Sequence, residues 1–225
     1  MKDWVSWHDK YDDLASPMAH RLRTVQAQIR MVLDDSPSGP LRVVSLCAGQ
    51  GRDLLDVLAD HRRRDDVRAR LVELDSRNTA LAEERVRATG LDGVEVVTAD
   101  ASLSDHYRGM APADLVLICG VFGNIADNDI EQTVDCCRQL CCTGGSIIWT
   151  RHRRTPDRVP LICEWFESRG FDRQWLSEPE SELAVGVHRF TGKSLPLAVS
   201  TRMFTFVGYD ALRLRATLPP AALGR

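Results

Sequence analysis

The stretch Leu41-Arg42-Val43-Val44-Ser45-Leu46-Cys47-Ala48-Gly49-Gln50-Gly51-Arg52-Asp53-Leu54-Leu55 decides how the rest of the chain is read. An apolar, β-branched run breaks at two glycines, and Leu54, Leu55 and Leu58 then recur at helical spacing. The segment therefore reads as strand, tight loop and helix. Glycines in such a loop let backbone N–H groups approach a ligand at a helix N-terminus, which is the form of a nucleotide-type cofactor site. The dinucleotide pattern Gly-x-Gly-x-x-Gly is incomplete, because Leu54 stands where its third glycine belongs and Asp53 sits in the first helical turn. A carboxylate there suits the helix dipole but competes with a bound pyrophosphate, so the loop favours a ligand that carries positive charge.

Downstream, strand-like and helix-like segments alternate. Residues 69–74 read as a second strand and 76–89 as a helix ended by Gly90. Strands follow at 94–98, 114–119 and 146–150, with helices over 127–140 and 156–169. Strands separated by helices give a parallel sheet covered on both faces, whose ligands lie beyond the C-terminal strand ends. Segments 171–176, 183–190 and 203–207 are strand-like without full intervening helices, so an antiparallel edge is expected. The fold class is α/β, a three-layer Rossmann-like sandwich with a mostly parallel sheet, an antiparallel C-terminal edge and an N-terminal helical cap.

Upstream, Pro17 opens a helix in which Leu22, Val25, Ile29 and Val32/Leu33 recur until Ser36-Pro37-Ser38-Gly39-Pro40 stops it. Residues 1–16 are rich in aromatic and charged groups and read as a flap. The expected division is a cap over 1–38, a main domain over 39–210 and a flexible tail over 211–225. At 225 residues and 44% hydrophobic content, one α/β domain with a full core is accommodated. A net charge of −3 gives no basic footprint for nucleic acid. Neither a signal peptide nor a run of membrane-spanning length is present, so no membrane association and a cytoplasmic location are expected. The seven cysteines then read as reduced thiols.

Taken in order, four features resemble the class I S-adenosylmethionine-dependent methyltransferases over about residues 41–190. They are Cys47-Ala48-Gly49-Gln50-Gly51, Glu73-Leu74-Asp75, Thr98-Ala99-Asp100-Ala101 and Asp114-Leu115-Val116-Leu117-Ile118-Cys119-Gly120. The resemblance implies S-adenosyl-L-methionine as cofactor, S-adenosyl-L-homocysteine as product, and a role for each position. Gly49 and Gly51, with Ala48 just before them in the loop, would pass under the methionine part, and carbonyls of Cys47 or of Cys119 and Gly120 would receive its ammonium. Glu73, preferred to Asp75, would accept the ribose hydroxyls, and Leu74 would pack on adenine. Asp100 would accept from the adenine amino group while the Ala101 N–H meets a ring nitrogen.

Two residues depart from the family pattern. Cys47 stands where an acid is common and Asp53 where a small residue is common. Asp53 either takes over the carboxylate's role or caps the helix, and Cys47 reads as a small buried residue rather than a nucleophile. Cys136, Cys137, Cys141 and Cys142 lack a neighbouring histidine, and Cys137 and Cys141 fit a helix's apolar stripe, so no metal is expected.

On the acceptor side the resemblance points beyond strands four and five, under the cap. The candidates are Trp7, His8, Tyr11, Phe122, Asn124, Trp149 and Arg151, with His152 as general base. The alternative for residues 151–154 is a solvated basic loop. The same bland reading is given to His61-Arg62-Arg63-Arg64, and His188 reads as a core or edge histidine. The expected activity is methyl transfer to an O, N or C nucleophile of a small molecule such as a secondary metabolite. The competing readings are an RNA or tRNA methyltransferase, an NAD(P)-dependent oxidoreductase and a non-catalytic cofactor-binding protein.

Overall fold

The computed structural model describes residues 11–13, 15–209 and 211–212. Helix α1 (Pro17–Asp35) leads to β1 (Leu41–Leu46), α2 (Arg52–Leu58), β2 (Val67–Glu73), α3 (Ser76–Thr89), β3 (Val94–Thr98) and β4 (Ala113–Ile118). The chain continues through α4 (Asp127–Leu140), β5 (Cys141–His152), α5 (Val159–Ser168), β6 (Phe171–Leu176) and β7 (Leu183–Phe190). The seven strands form one sheet in the order β3-β2-β1-β4-β5-β7-β6. The first five are parallel, and β7 runs antiparallel to both β5 and β6. The order reverses between β1 and β4, which opens a crevice at their C-terminal ends.

Period-two alternation divides the core between the two faces of the sheet. Val44, Leu46, Val116, Ile118, Ile147 and Trp149 pack with α4 and α5 through Ile130, Val134, Ile162 and Phe166. Val43, Leu115, Leu117 and Ile148 pack on the other face against Leu54, Leu55 and Leu58 of α2. Val25, Ile29 and Leu33 of α1 belong to that same cluster, so the N-terminal helix shares the main core. Its start is fixed by Ser16, whose Oγ accepts from the Ala19 N–H at 3.0 Å, and by Pro17 in the first turn.

Several expectations needed correction. Helix α5 begins at Val159 rather than near 156, because the Asp157 carboxylate accepts the Val159 N–H at 2.9 Å and Pro160 occupies the first turn. Strand β5 begins at Cys141, so this buried cysteine belongs to the sheet rather than to the stripe of α4. Segment 203–207 forms no strand. It is stitched to neighbouring loops by the Met203 N–H on the Ser102 carbonyl, the Thr205 N–H on the Asp129 carboxylate and the Val207 N–H on the Asn124 carbonyl. The His61 to Arg64 run is not a solvated face, since His61 and Arg63 are buried. Arg63 donates to the carbonyls of Leu33, Ser36, Pro37 and Gly39 at 2.8–3.1 Å and pairs with Asp66, which pins the link between α1 and β1. The aromatic candidates Trp7 and His8, and the tail beyond residue 212, lie outside the described residues.

Candidate active site

A cavity of about 420 Å³ lies at the reversal point of the sheet, within the usual size range of small-ligand sites. Its lining follows the strand order. Asp100 and Ala101 come after β3, Glu73 and Leu74 after β2, Cys47 to Gln50 after β1, and Cys119, Gly120 and Asn124 after β4. Tyr11, Arg21, Leu22 and Val25 close it from the α1 side, and Asp53 enters from the first turn of α2. Phe204 and Phe206 complete the wall.

The loop after β1 is held by a chain of hydrogen bonds. Cys47, Gly49 and Gly51 all take left-handed backbone conformations, with φ of 51°, 57° and 68°. The Glu73 carboxylate accepts the Gly49 N–H on one oxygen and the Asp75 N–H on the other, both at 2.9 Å, so it ties the loop to the end of β2. Gly51 is needed for packing rather than for ligand approach: a Cβ there would meet Leu71 Cδ2 at 2.7 Å and Leu55 Cδ1 at 2.8 Å, and the residue does not line the cavity.

The choice between Glu73 and Asp75 can be weighed on geometry. Asp75 caps α3, accepting the Arg77 N–H at 3.0 Å and pairing with the Arg77 guanidinium at 2.7 Å, which lowers its pKa. Its oxygens are committed to that helix start. Leu74 between them is 69% exposed and lines the cavity, an apolar side chain without protein cover. Asp100 accepts the Ser102 N–H and pairs with Arg202, each at 3.0 Å. Burial pushes the thiols of Cys47 and Cys119 far up, with Glu73 acting in the same direction on Cys47 and Asp53 on Cys119. Neither is a thiolate nucleophile near neutral pH.

The acceptor-side candidates separate. Tyr11 and Asn124 line the cavity. Asn124 organises the loop after β4: its Nδ2 donates to the Gly120 carbonyl at 2.7 Å and its Oδ1 accepts the Tyr209 N–H at 2.9 Å. Phe122 and Trp149 are fully buried instead, with ring centroids 6.0 Å apart, and Trp149 Nε1 donates to His188 Nδ1 at 3.1 Å. The alternation of β5 turns Trp149 to the face covered by α5, not toward the cavity. Arg151 donates to the Phe122 carbonyl and supports the same loop from below. His152 also lies outside the lining, its ring edge-on to Tyr209 with centroids 5.0 Å apart. Burial, with Arg151 and Arg154 nearby, brings its pKa down to about 4.

The lining residues that were not singled out from the sequence include Arg21, Arg77, Asn78, Phe204 and Phe206. Arg21 carried a legible signal, since it stands four residues before Val25 and so in phase with Ile29 and Leu33 on the buried stripe of α1. The two phenylalanines reach the cavity from an irregular segment and carried none.

The sheet order, the crevice at its reversal point and an acceptor-only carboxylate at the end of β2 define a class I methyltransferase of the S-adenosylmethionine-dependent kind. The chain belongs to the family described as "Putative methyltransferase", whose model matches residues 18–177. No curated protein sequence matches it significantly. Among solved structures it is similar to 1,6-didemethyltoxoflavin-N1-methyltransferase from Burkholderia thailandensis, which holds 1,6-didemethyltoxoflavin and S-adenosylhomocysteine. The identity is 17%, 84% of each chain is covered and the TM-score is 0.62. It is also similar to magnesium protoporphyrin IX methyltransferase from Synechocystis PCC 6803 with bound SAM, at 12% identity over 76% of this chain and 79% of that one, with a TM-score of 0.57. The CurJ carbon methyltransferase shares 16% identity and a TM-score of 0.60, over 76% of this chain; this chain covers 54% of that one. Such distant likenesses show the fold. Among the described residues no helix is long and apolar enough to cross a membrane.

Proposed function

We propose that the chain transfers the methyl group of S-adenosylmethionine to a nucleophilic atom of a small molecule bound between Asn124, Phe204, Phe206 and the N-terminal part of α1. The observation that carries this reading is a single cavity whose lining runs from Asp100 to Gly120 along the strand ends and is closed by α1 and two phenylalanines. From β3 to β4 are three strand spacings of about 4.8 Å, ~14 Å in all, enough for an extended nucleoside with an amino-acid side arm.

The residues fit the cofactor. Glu73 would hold the ribose hydroxyls and the uncovered Leu74 would pack on the base, with Asp100 and the Ala101 N–H at its edge. Gly49 and its neighbours in the loop after β1 would pass beneath the side arm, near the carbonyls of Cys119 and Gly120. The cofactor's sulfonium supplies an activated methyl group when bound. The protein's part is then alignment and exclusion of water, and alignment alone is worth several kcal/mol. A small acceptor is favoured by the enclosing phenylalanines and by the substrate in the toxoflavin-type neighbour's site.

Incubation with methyl-labelled S-adenosylmethionine and fractionated extract should place the label in low-molecular-weight material. Label in RNA would reverse the choice of acceptor.

His152 is assigned a supporting role in the loop rather than that of a base. It faces Tyr209 outside the cavity, and with a pKa near 4 it stays neutral across pH 6–8. His152→Ala should therefore keep kcat within about twofold and leave the pH–rate profile between pH 6 and 8 unchanged. A loss on the order of 100-fold together with a lost ionisation in that profile would restore it as the base.

A further inference from the structure

The α1 stripe that packs on the core carries Val25, Ile29 and Leu33, and one turn earlier it carries a guanidinium. Arg21 is only 8% exposed, yet it lines the cavity. One terminal nitrogen donates to the Tyr11 hydroxyl, while Nε is buried without a hydrogen-bond partner. Among the described residues no carboxylate lies within ion-pair distance of it. The other cations of the lining are engaged: Arg52 with Asp12 and Arg77 with Asp75. A desolvated guanidinium with no carboxylate at ion-pair distance among the described residues is costly, and the cavity that it lines is open to an anionic partner.

Asp53 lies on the same side of the cavity, where burial raises its pKa and the Arg21 guanidinium acts against that shift. Its carboxylate lines the same cavity, accepts the Leu54 N–H at 2.9 Å and lies next to the Cys119 thiol. Both groups therefore sit at the β1–β4 side of the cavity, away from Glu73 and Asp100 on β2 and β3. A ligand end that satisfies both must carry a carboxylate and an ammonium together.

We infer that Arg21 and Asp53 form a two-point receptor for the zwitterionic amino-acid end of the cofactor, with the guanidinium taking the carboxylate and Asp53 the ammonium. The inference rests on the proposed placement of the nucleoside at Glu73. Tyr11 positions the guanidinium, and the acid that the loop lacks at Cys47 is provided six residues later at Asp53, in the first turn of α2.

Calorimetric titration of the full chain with S-adenosylhomocysteine, its decarboxylated analogue and 5′-methylthioadenosine tests this, because the last lacks the whole amino-acid end. Arg21→Met should weaken S-adenosylhomocysteine at least tenfold and leave 5′-methylthioadenosine within twofold. The wild type should bind the decarboxylated analogue at least tenfold more weakly than S-adenosylhomocysteine, and Arg21→Met should add no further loss for it. Asp53→Asn should likewise weaken S-adenosylhomocysteine and spare 5′-methylthioadenosine. The ligand-free Arg21→Met chain should melt no lower than wild type, since it loses an unpaired buried charge; a purely structural arginine would lower the melting temperature. Equal weakening of all three ligands, or unchanged S-adenosylhomocysteine affinity, overturns the receptor while leaving the cofactor assignment standing. The analogue comparison on wild-type protein decides the carboxylate's part even if the variant fails to fold. Absence of binding by all three to wild type would remove the proposed function itself, and the receptor with it.

Discussion

Glu73→Ala should lower the affinity for S-adenosylhomocysteine by about 100-fold or more, because Glu73 closes β2 with its carboxylate at the cavity, while Asp75, which also lines it, spends its oxygens on the start of α3. Two ribose hydroxyls would donate to its two oxygens. Charge-assisted hydrogen bonds contribute about 1.5–3 kcal/mol each, so the pair accounts for ~3 kcal/mol even with incomplete additivity. The same oxygens accept the Gly49 and Asp75 N–H groups, so the variant also loosens the loop after β1. Glu73→Gln keeps the side-chain volume but replaces one acceptor oxygen with a donor that would face the Gly49 or the Asp75 N–H. It should fall between wild type and Ala in both affinity and melting temperature. Calorimetry and a thermal melt on the same samples check both, and an Ala variant within threefold of wild type would remove Glu73 from the ribose site.

Arg63→Ala should be the most damaging substitution away from the cavity. The guanidinium reaches four carbonyls at the end of α1 and in the link to β1, and Asp66 completes its shell. Removal leaves one buried and three part-buried carbonyls without their donor, and an exposed carboxylate without its ion pair, at an expected cost of about 3 kcal/mol. For a chain of this length that is a fall in melting temperature of roughly 6–12 °C. Arg63→Lys, a point charge without the planar fork, should recover only part of it. Because these contacts lie at the N-terminal end of β1, opposite the cavity, cofactor affinity per folded molecule should stay as in wild type. A melting temperature unchanged within 1 °C would show that water replaces the guanidinium at no cost.

Arg63 also shows why part of the structure was hidden in the sequence. A run of one histidine and three arginines reads as a solvated face, since the carbonyls that cage Arg63 come from a helix end and a turn about thirty residues earlier. The sheet was legible because its signals are local: β-branched runs, glycine breaks and the caps at Asp75 and Gly90 each act over a few residues. The phase of β5 was not. Whether Trp149 faces the cavity or the core depends on which side α5 covers, and that is a tertiary fact. His152 lies outside the cavity lining for a related reason, because position at a strand end does not say which way a loop turns the ring. Phe204 and Phe206 reach the cavity on a segment held by Ser102, Asp129 and Asn124 rather than by strand pairing, so no periodicity marks them. Arg21 was legible in principle, as a charge in phase with the apolar stripe of α1.

Titration of the wild-type chain with S-adenosylhomocysteine and, separately, with NAD⁺ reads the cofactor assignment most directly. S-adenosylhomocysteine should bind with one-to-one stoichiometry and raise the melting temperature, while NAD⁺ should do neither, since Asp53 opposes a pyrophosphate at the start of α2. Stabilisation by NAD⁺ with none by S-adenosylhomocysteine would contradict the assignment.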